Sequence, residues 1–472
     1  MGIDPHQLAR IMALRTGHAV RKTSHRQLLI REDALIMAPI EMAGEDASLH
    51  AIAIGHIGQA PTVYSCPDPR NRDALFELLE ALAREVIFPY WSWCVNVGRA
   101  PQMWVSSGGV AGKLETLNQR LRYTRNRDVV RKLGLCLTYF TERSHIAGQQ
   151  ALVTASEALC AHWATGQQPG EDQHLGAVLA WLDPAGHPVQ EAVAASERRA
   201  MGTRTLPAFD RDVLDPLLRR FHNARKANDP TSMHDVAEEI HGALSGVACG
   251  IYGAIQTAIA HIQALDLPEL GALDDLEPME NRAFAYYARK RAEGWGVSHR
   301  DSARQAAARL REREDAQSSL AAAALIDDPI ALQGALMSGR AVRGRVQTVA
   351  PQGRISLVTE QPILRARHRD TFVLARDPRL QLVVESTRRV NGQTHLQLRV
   401  LSGQRAVGVP QGGAELLLVP SAPRWFWIGK SRSKLFQRTT QMPWTHLSGG
   451  IPSADSRAGA PADPLAALET LK

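Results

Sequence analysis

In the first third of the chain, apolar residues form short runs broken by turn residues. "ALIMAPIEM", "HAIAIGHIG" and "PTVYSC" predict three consecutive strands. "NRDALFELLEALAREVIFPYWSWC" then sets Leu75, Leu78, Leu79, Leu82 and Val86 at helical spacing, with Asp68 or Asn71 as its cap. "PQMWVSS" reads as the next strand and "VAGKLETLNQRL" as the next helix. After an N-terminal extension over 1–27, this alternation predicts an α/β layer over 28–145.

From 146 to 338 the period turns helical. "AGQQALVTASEALCAHWATG" reads as one helix ended by Gly166, followed by "DRDVLDPLLRRFHNARKAND". The stretch Gly242–Leu265 has no Asp, Glu, Lys or Arg and is long enough to cross a bilayer. Gln256, His261 and Gln263 within it, and Asp235, Glu238 and Glu239 before it, favour a buried central helix instead. Gly242, Gly246 and Gly250 would let a neighbouring backbone approach that helix closely. "RDSARQAAARLREREDAQSSLAAAALI" predicts a long exposed helix packed on one side. "DDPIALQGALMSG" predicts a short one capped by Asp327 or Asp328.

Beyond Gly339 the period becomes two. "AVRGRVQTV", "RISLVTE", "TFVLAR", "LQLVVESTRRV", "THLQLRVLSG" and "AELLLVP" predict a small antiparallel β-barrel over 339–420, with Asn391-Gly392 as a hairpin turn. A basic aromatic segment and a flexible tail fill 421–472. The expected class is α+β multidomain: an α/β layer, a central helical region and a C-terminal barrel.

Composition changes this picture mainly through charge. The chain has 472 residues, too many for one core, and its 44% apolar and 22% charged fractions are those of a soluble protein. Five well-separated cysteines read as reduced thiols, and the N-terminus lacks a signal peptide's apolar core. A cytoplasmic protein with no membrane span is expected. The net charge of +7 is unevenly spread. Between Gly339 and Thr445, sixteen arginines and two lysines face five acids, a net +13, which leaves −6 for the rest.

Arg343 and Arg345 share a strand face, Arg365, Arg367 and Arg369 would share another, and Arg388 and Arg389 flank the hairpin turn. In the tail, Trp425 and Trp427 are mixed with Lys430, Arg432 and Lys434. Guanidinium groups suit bidentate phosphate contacts. Aromatic planes beside them suit single strands, whose bases stack at about 1–3 kcal/mol each. These residues are the expected contacts to DNA or RNA, although an acidic protein would be served by the same surface.

The region from Asp33 to Asp128 resembles RNase H-like exonuclease domains of the DnaQ and RecB-associated type. Those families carry Asp-x-Glu on the first strand; this chain has Pro39-Ile40-Glu41. The family's next acid is missing too, since "MWVSSGGVAGKLETL" has none before Glu115. Two-metal chemistry needs several carboxylates around cations about 4 Å apart. The resemblance therefore implies an inactive or repurposed scaffold. The competing expectation is a nuclease holding a divalent metal through Glu41, Asp68 and Asp128, with Glu45 and Asp46 reaching in from a loop.

A second candidate metal set is His162, Asp172 and His174 in "HWATGQQPGEDQH", against the plainer reading of Glu171 or Asp172 as a helix cap. There is no Walker loop and no G-x-S-x-G elbow, and no cofactor is expected. The barrel following long helices resembles the accessory barrel and stalk of superfamily 1 helicases, without the motor motifs. That resemblance implies a non-catalytic accessory subunit in bacterial DNA processing or anti-phage defence, acting with a separate helicase or nuclease. A pure protein-interaction scaffold is the third expectation.

Overall fold

The computed structural model describes residues 4–42, 49–294 and 303–421. Glu45, Asp46, Trp425, Trp427, Lys430, Arg432 and Lys434 lie outside the described residues. A first short strand, β1 (Val20–Arg21), forms a small ribbon near the N-terminus. The main sheet comprises β2 (Leu35–Glu41), β3 (Leu49–His56), β4 (Thr62–Ser65), β5 (Met103–Val105) and β6 (Leu152–Thr154), while β7 (Trp163–Ala164) is the partner of β1. The sheet order is β4-β3-β2-β5-β6, and β3 alone runs against the other four.

Every residue of β2 is buried, because both faces of the sheet are covered. On one face Leu35 and Met37 pack with Phe76, Leu79 and Leu82 of the helix Arg72–Leu82, which Asn71 caps. Leu114 and Leu121 of the helix Gly108–Leu121 and Leu133 and Leu137 of the helix Asp128–Arg143 complete that core. The last two helices cross so closely at Gly134 that a Cβ there would lie 2.4 Å from the Arg122 nitrogen.

The opposite face of β2, Ile36, Ala38 and Ile40, receives the long helix Pro230–Gln263. Asp229 accepts from the Ser232 amide at 3.1 Å and Pro230 opens the first turn, an N-terminus set by local chemistry. Ile240, Leu244, Ile251, Ile255 and Ile259 are buried on the sheet. This helix is long and apolar enough to cross a membrane, yet one face lies on the sheet. Among the described residues the expected close approach of a second backbone is not seen: a Cβ at Gly242, Gly246 or Gly250 would have none of their atoms within 4 Å.

The main sheet takes its last strand, β6, from beyond residue 146. The stretch expected as one helix over Ala147–Gly166 splits into β6 and the helix Ala155–His162. Leu152 and Val153 pair with Met103 and Trp104 at the sheet edge, and the Gln149 side chain accepts from the Leu152 amide at 2.9 Å. Strand pairing in a buried setting overrides helical spacing over so short a run. The helix Ala272–Ala292 sends Phe284 into the first core and packs through Leu273 and Leu276 on Ala316 of the helix Ala303–Asp327.

Asp328 caps the last helix before the barrel, Pro329–Met337. The same carboxylate accepts from Thr23 Oγ1 at 2.6 Å and Ser24 Oγ at 2.8 Å, tying in the N-terminal segment.

The six barrel strands are β8 (Val342–Ala350), β9 (Arg354–Thr359), β10 (Thr371–Leu374), β11 (Asp377–Val390), β12 (Gln393–Ser402) and β13 (Glu415–Pro420). Their order, β10-β11-β12-β9-β8-β13, closes through β13 and β10. Inward positions such as Val346, Leu357, Leu382, Val384 and Leu398 alternate with polar outward ones. Asn391 and Gly392 turn the β11–β12 hairpin at φ of 50° and 81°, the paired positive angles of a two-residue primed turn. Arg365, Arg367 and Arg369 do not sit on a strand. They lie in the loop joining β9 to β10, where Ala366 is buried and Arg369 has a φ of 71°. Thr371–Leu374 is as much of this stretch as pairs with β11 and β13.

Candidate nucleic-acid interface

The β9–β10 loop carries Arg365, Arg367 and Arg369, and its apolar residues meet Arg388 and Arg389 of β11. Gln361 fixes the loop's start: its amide donates to the Leu336 and Ala341 carbonyls at 2.8 and 3.1 Å, and its Oε1 accepts from the Arg343 amide at 2.8 Å. The Arg365 amide then donates to the Gly339 carbonyl, and the Arg369 amide to Val384. The loop thus runs from the mouth of β8 to the middle of β11. Pro362, Ile363, Leu364 and Ala366 meet Thr387, Arg388 and Arg389 around an open cavity of about 390 Å³.

All thirteen arginines between Gly339 and Ser421 are exposed. Four have carboxylate partners: Arg345 with Glu415 at 3.5 Å, Arg354 and Arg399 with Glu385 at 3.3 and 2.9 Å, and Arg379 with Asp377 at 2.6 Å. Among the described residues the other nine make no ion pair, and Arg343, Arg365, Arg367, Arg369, Arg388 and Arg389 are six of them. The outward-facing cations outnumber the acids that would quench them. Their field extends about 8–10 Å into solution at moderate salt.

The second feature lies at the carboxyl end of β2. Glu41 is 6% exposed, and the Lys113 ammonium of the helix Gly108–Leu121 stands 3.4 Å from its Oε2. The segment Thr203–Thr205 runs alongside: the Glu41 amide donates to the Thr203 carbonyl and the Thr205 amide to the Glu41 carbonyl. Beside Glu41 opens a cavity of about 320 Å³. Its walls are Leu75, Phe76, Leu117 and Leu121, and its rim holds Arg70, Arg72 and Arg120.

The other sequence candidates are held elsewhere. Asp68 pairs with Arg225 and Asp128 with Arg131 and, at 2.8 Å, Lys132. These partners hold the Asp128 carboxyl below its usual range, chiefly through the Lys132 hydrogen bond. Neither acid lines the cavity that holds Glu41.

His162 is fully buried; its Nδ1 donates to the Ala158 carbonyl at 2.8 Å and its Nε2 accepts from the Gln27 amide at 3.1 Å. Both ring nitrogens are therefore committed to the backbone. Asp172 accepts from Thr165 at 2.6 Å and Gln167 at 3.2 Å. His174 caps the helix Leu175–Leu182 through Nδ1, the role expected of Glu171 or Asp172. Among the described residues no three His, Cys, Asp or Glu side chains group as metal ligands would.

No family model, curated protein or solved structure matches this chain.

The cations around Glu41 went unread in the sequence, although the signal was present. Lys113, Leu117 and Arg120 recur at helical spacing, which puts two cations and an apolar side chain on one face. Arg70 and Arg72 come from the short "RNRD" stretch, one on each side of the capping Asn71.

Proposed function

We propose that this chain is a non-catalytic nucleic-acid-binding protein whose barrel end takes the phosphate backbone. One observation carries the reading: nine exposed barrel arginines without a carboxylate partner among the described residues, of which Arg365, Arg367 and Arg369 lie on the β9–β10 loop whose apolar residues meet Arg388 and Arg389 beside the β11–β12 turn. Arginines that served only solubility would be interspersed with acids; here five acids serve thirteen arginines. The sheet is read as an RNase H-like layer. The support is its strand order, with the first strand central, the second antiparallel and the later two parallel to the first. A lysine ammonium against Glu41, where such a layer would carry further acids, supports a scaffold role over metal-dependent cleavage.

In this reading the protein acts in the cytoplasm as an accessory subunit of a DNA-processing or defence system, with a separate helicase or nuclease doing the chemistry. The test is binding of single- and double-stranded DNA and of RNA across a salt series. Binding that weakens steeply with salt is the expected result; no binding at low salt rejects it. Cleavage in manganese that Glu41→Ala abolishes would replace the accessory role with a nuclease.

A further inference from the structure

We propose that the cavity beside Glu41 binds a nucleoside monophosphate, either free or at the end of a strand. The inference goes beyond the barrel reading, since no barrel residue lines this cavity. At about 320 Å³ it falls at the small end of ligand pockets. Its lining has three chemically distinct zones, and each constrains the occupant.

The walls are apolar. Phe76 and Leu121 are buried, and Leu75 and Leu117, half-buried, line the cavity beside them from the same two helices. Such a lining favours a flat, weakly hydrated body. The rim is cationic: the Arg72 guanidinium lies over the Phe76 ring at 5.0 Å, so charge and apolar wall meet at one edge, and Arg70 and Arg120 share that rim. Guanidinium groups there suit a compact oxyanion such as phosphate. The floor carries Glu41, whose buried Oε2 has no hydrogen-bond donor among the described residues although Lys113 balances its charge from 3.4 Å.

A buried acceptor left without a donor is costly, so the floor selects an occupant bearing an amino or hydroxyl group. A fatty acid or an apolar carboxylate would satisfy the walls and rim but not Glu41. An inorganic anion would satisfy the rim alone. A nucleobase with an exocyclic amine, carrying a phosphate on its sugar, meets all three.

The experiment is calorimetric titration of the full chain with the four ribonucleoside monophosphates, their parent nucleosides and inorganic phosphate. At least one monophosphate should bind, with its nucleoside and phosphate each at least tenfold weaker. Arg72→Gln and Arg120→Gln should each weaken it about tenfold, with thermal unfolding unchanged. Glu41→Gln should alter the preference among the four bases. Arg388→Gln with Arg389→Gln should leave this binding untouched, which separates it from the barrel.

A short oligonucleotide tested with and without a terminal phosphate assigns the source. Tighter binding of the phosphorylated end than of any free nucleotide, lost in Arg120→Gln, points to a strand terminus; the reverse order points to a free nucleotide. The proposal is overturned if no monophosphate binds at millimolar concentration. Equal binding of inorganic phosphate, or indifference to both arginine substitutions, overturns it equally.

Discussion

Replacing Arg365, Arg388 and Arg389 together with glutamine gives the sharpest test of the barrel end. None of the three makes an ion pair among the described residues, and all are exposed, so the substitutions remove charge without breaking a bridge or opening a cavity. Each phosphate contact contributes about −0.9 to the slope of log affinity against log salt on duplex DNA. Three lost contacts should make that slope shallower by about 2.7. Between 50 and 200 mM salt each contact is worth roughly 3.5-fold, so the wild type should lose roughly 40-fold more affinity over that range than the triple variant. The assay is fluorescence anisotropy with a labelled duplex at four or five salt concentrations, with unfolding curves as the check on folding. A variant of wild-type stability whose slope equals that of the wild type would refute the assignment of phosphates to this end.

Other outcomes follow from the interior. Glu280 is fully buried, accepts from the Gln150 amide at 2.7 Å and lies 3.7 Å from buried Arg31; Glu280→Ala leaves that guanidinium the Ala100 carbonyl and the more exposed Glu277 at 3.9 Å, and should cost about 3 kcal/mol in urea unfolding. Burial holds the His162 imidazole below its ordinary value of 6.5. Its contribution to stability is thus complete above 6.5 and lost as pH falls through the depressed value, with a slope of at most about 1.4 kcal/mol per pH unit. A His162→Gln variant should show a flatter acid limb in pH-dependent unfolding, and an unchanged limb would count against the neutral ring. Gly134→Ala drives a methyl into the Arg122 backbone and should cost about 1–3 kcal/mol, read as a lowered melting temperature. Gly392→Ala at a φ of 81° should cost about 1 kcal/mol by the same measurement, through the hairpin turn.

What the sequence made legible follows from how strongly each signal is tied to one period. The six barrel strands and the Asn391-Gly392 turn were readable because a two-residue alternation and a primed turn have few rivals. The caps were readable to within a pair, Asp68 or Asn71 and Asp327 or Asp328, because side-chain oxygens just before an apolar period have one common use, and the structure takes Asn71 and Asp328. β6 was hidden: three residues paired to a sheet edge carry no period of their own, and the flanking alanines looked helical. Arg365, Arg367 and Arg369 alternate as a strand would, yet Ala366 is drawn inward over the barrel and the segment makes no ladder. The cations around Glu41 come from two stretches of chain and the acid from a third, and pattern along one stretch does not show what two helices and a strand end bring together.

The Asp328 carboxylate carries one more consequence. It takes hydroxyl hydrogens from Thr23 and Ser24 while holding the first turn of the helix that leads into the barrel. One side chain therefore buckles the chain's beginning to the barrel's stem, across some three hundred residues of sequence. A chain trimmed to begin at residue 28 would strip that anion, 1% exposed in the full chain, of both hydroxyl donors and the Ser24 amide, leaving it the Ile330 amide. The opening residues behave as a strap for the barrel, and trimming them away should loosen the far end of the molecule before it troubles the near one.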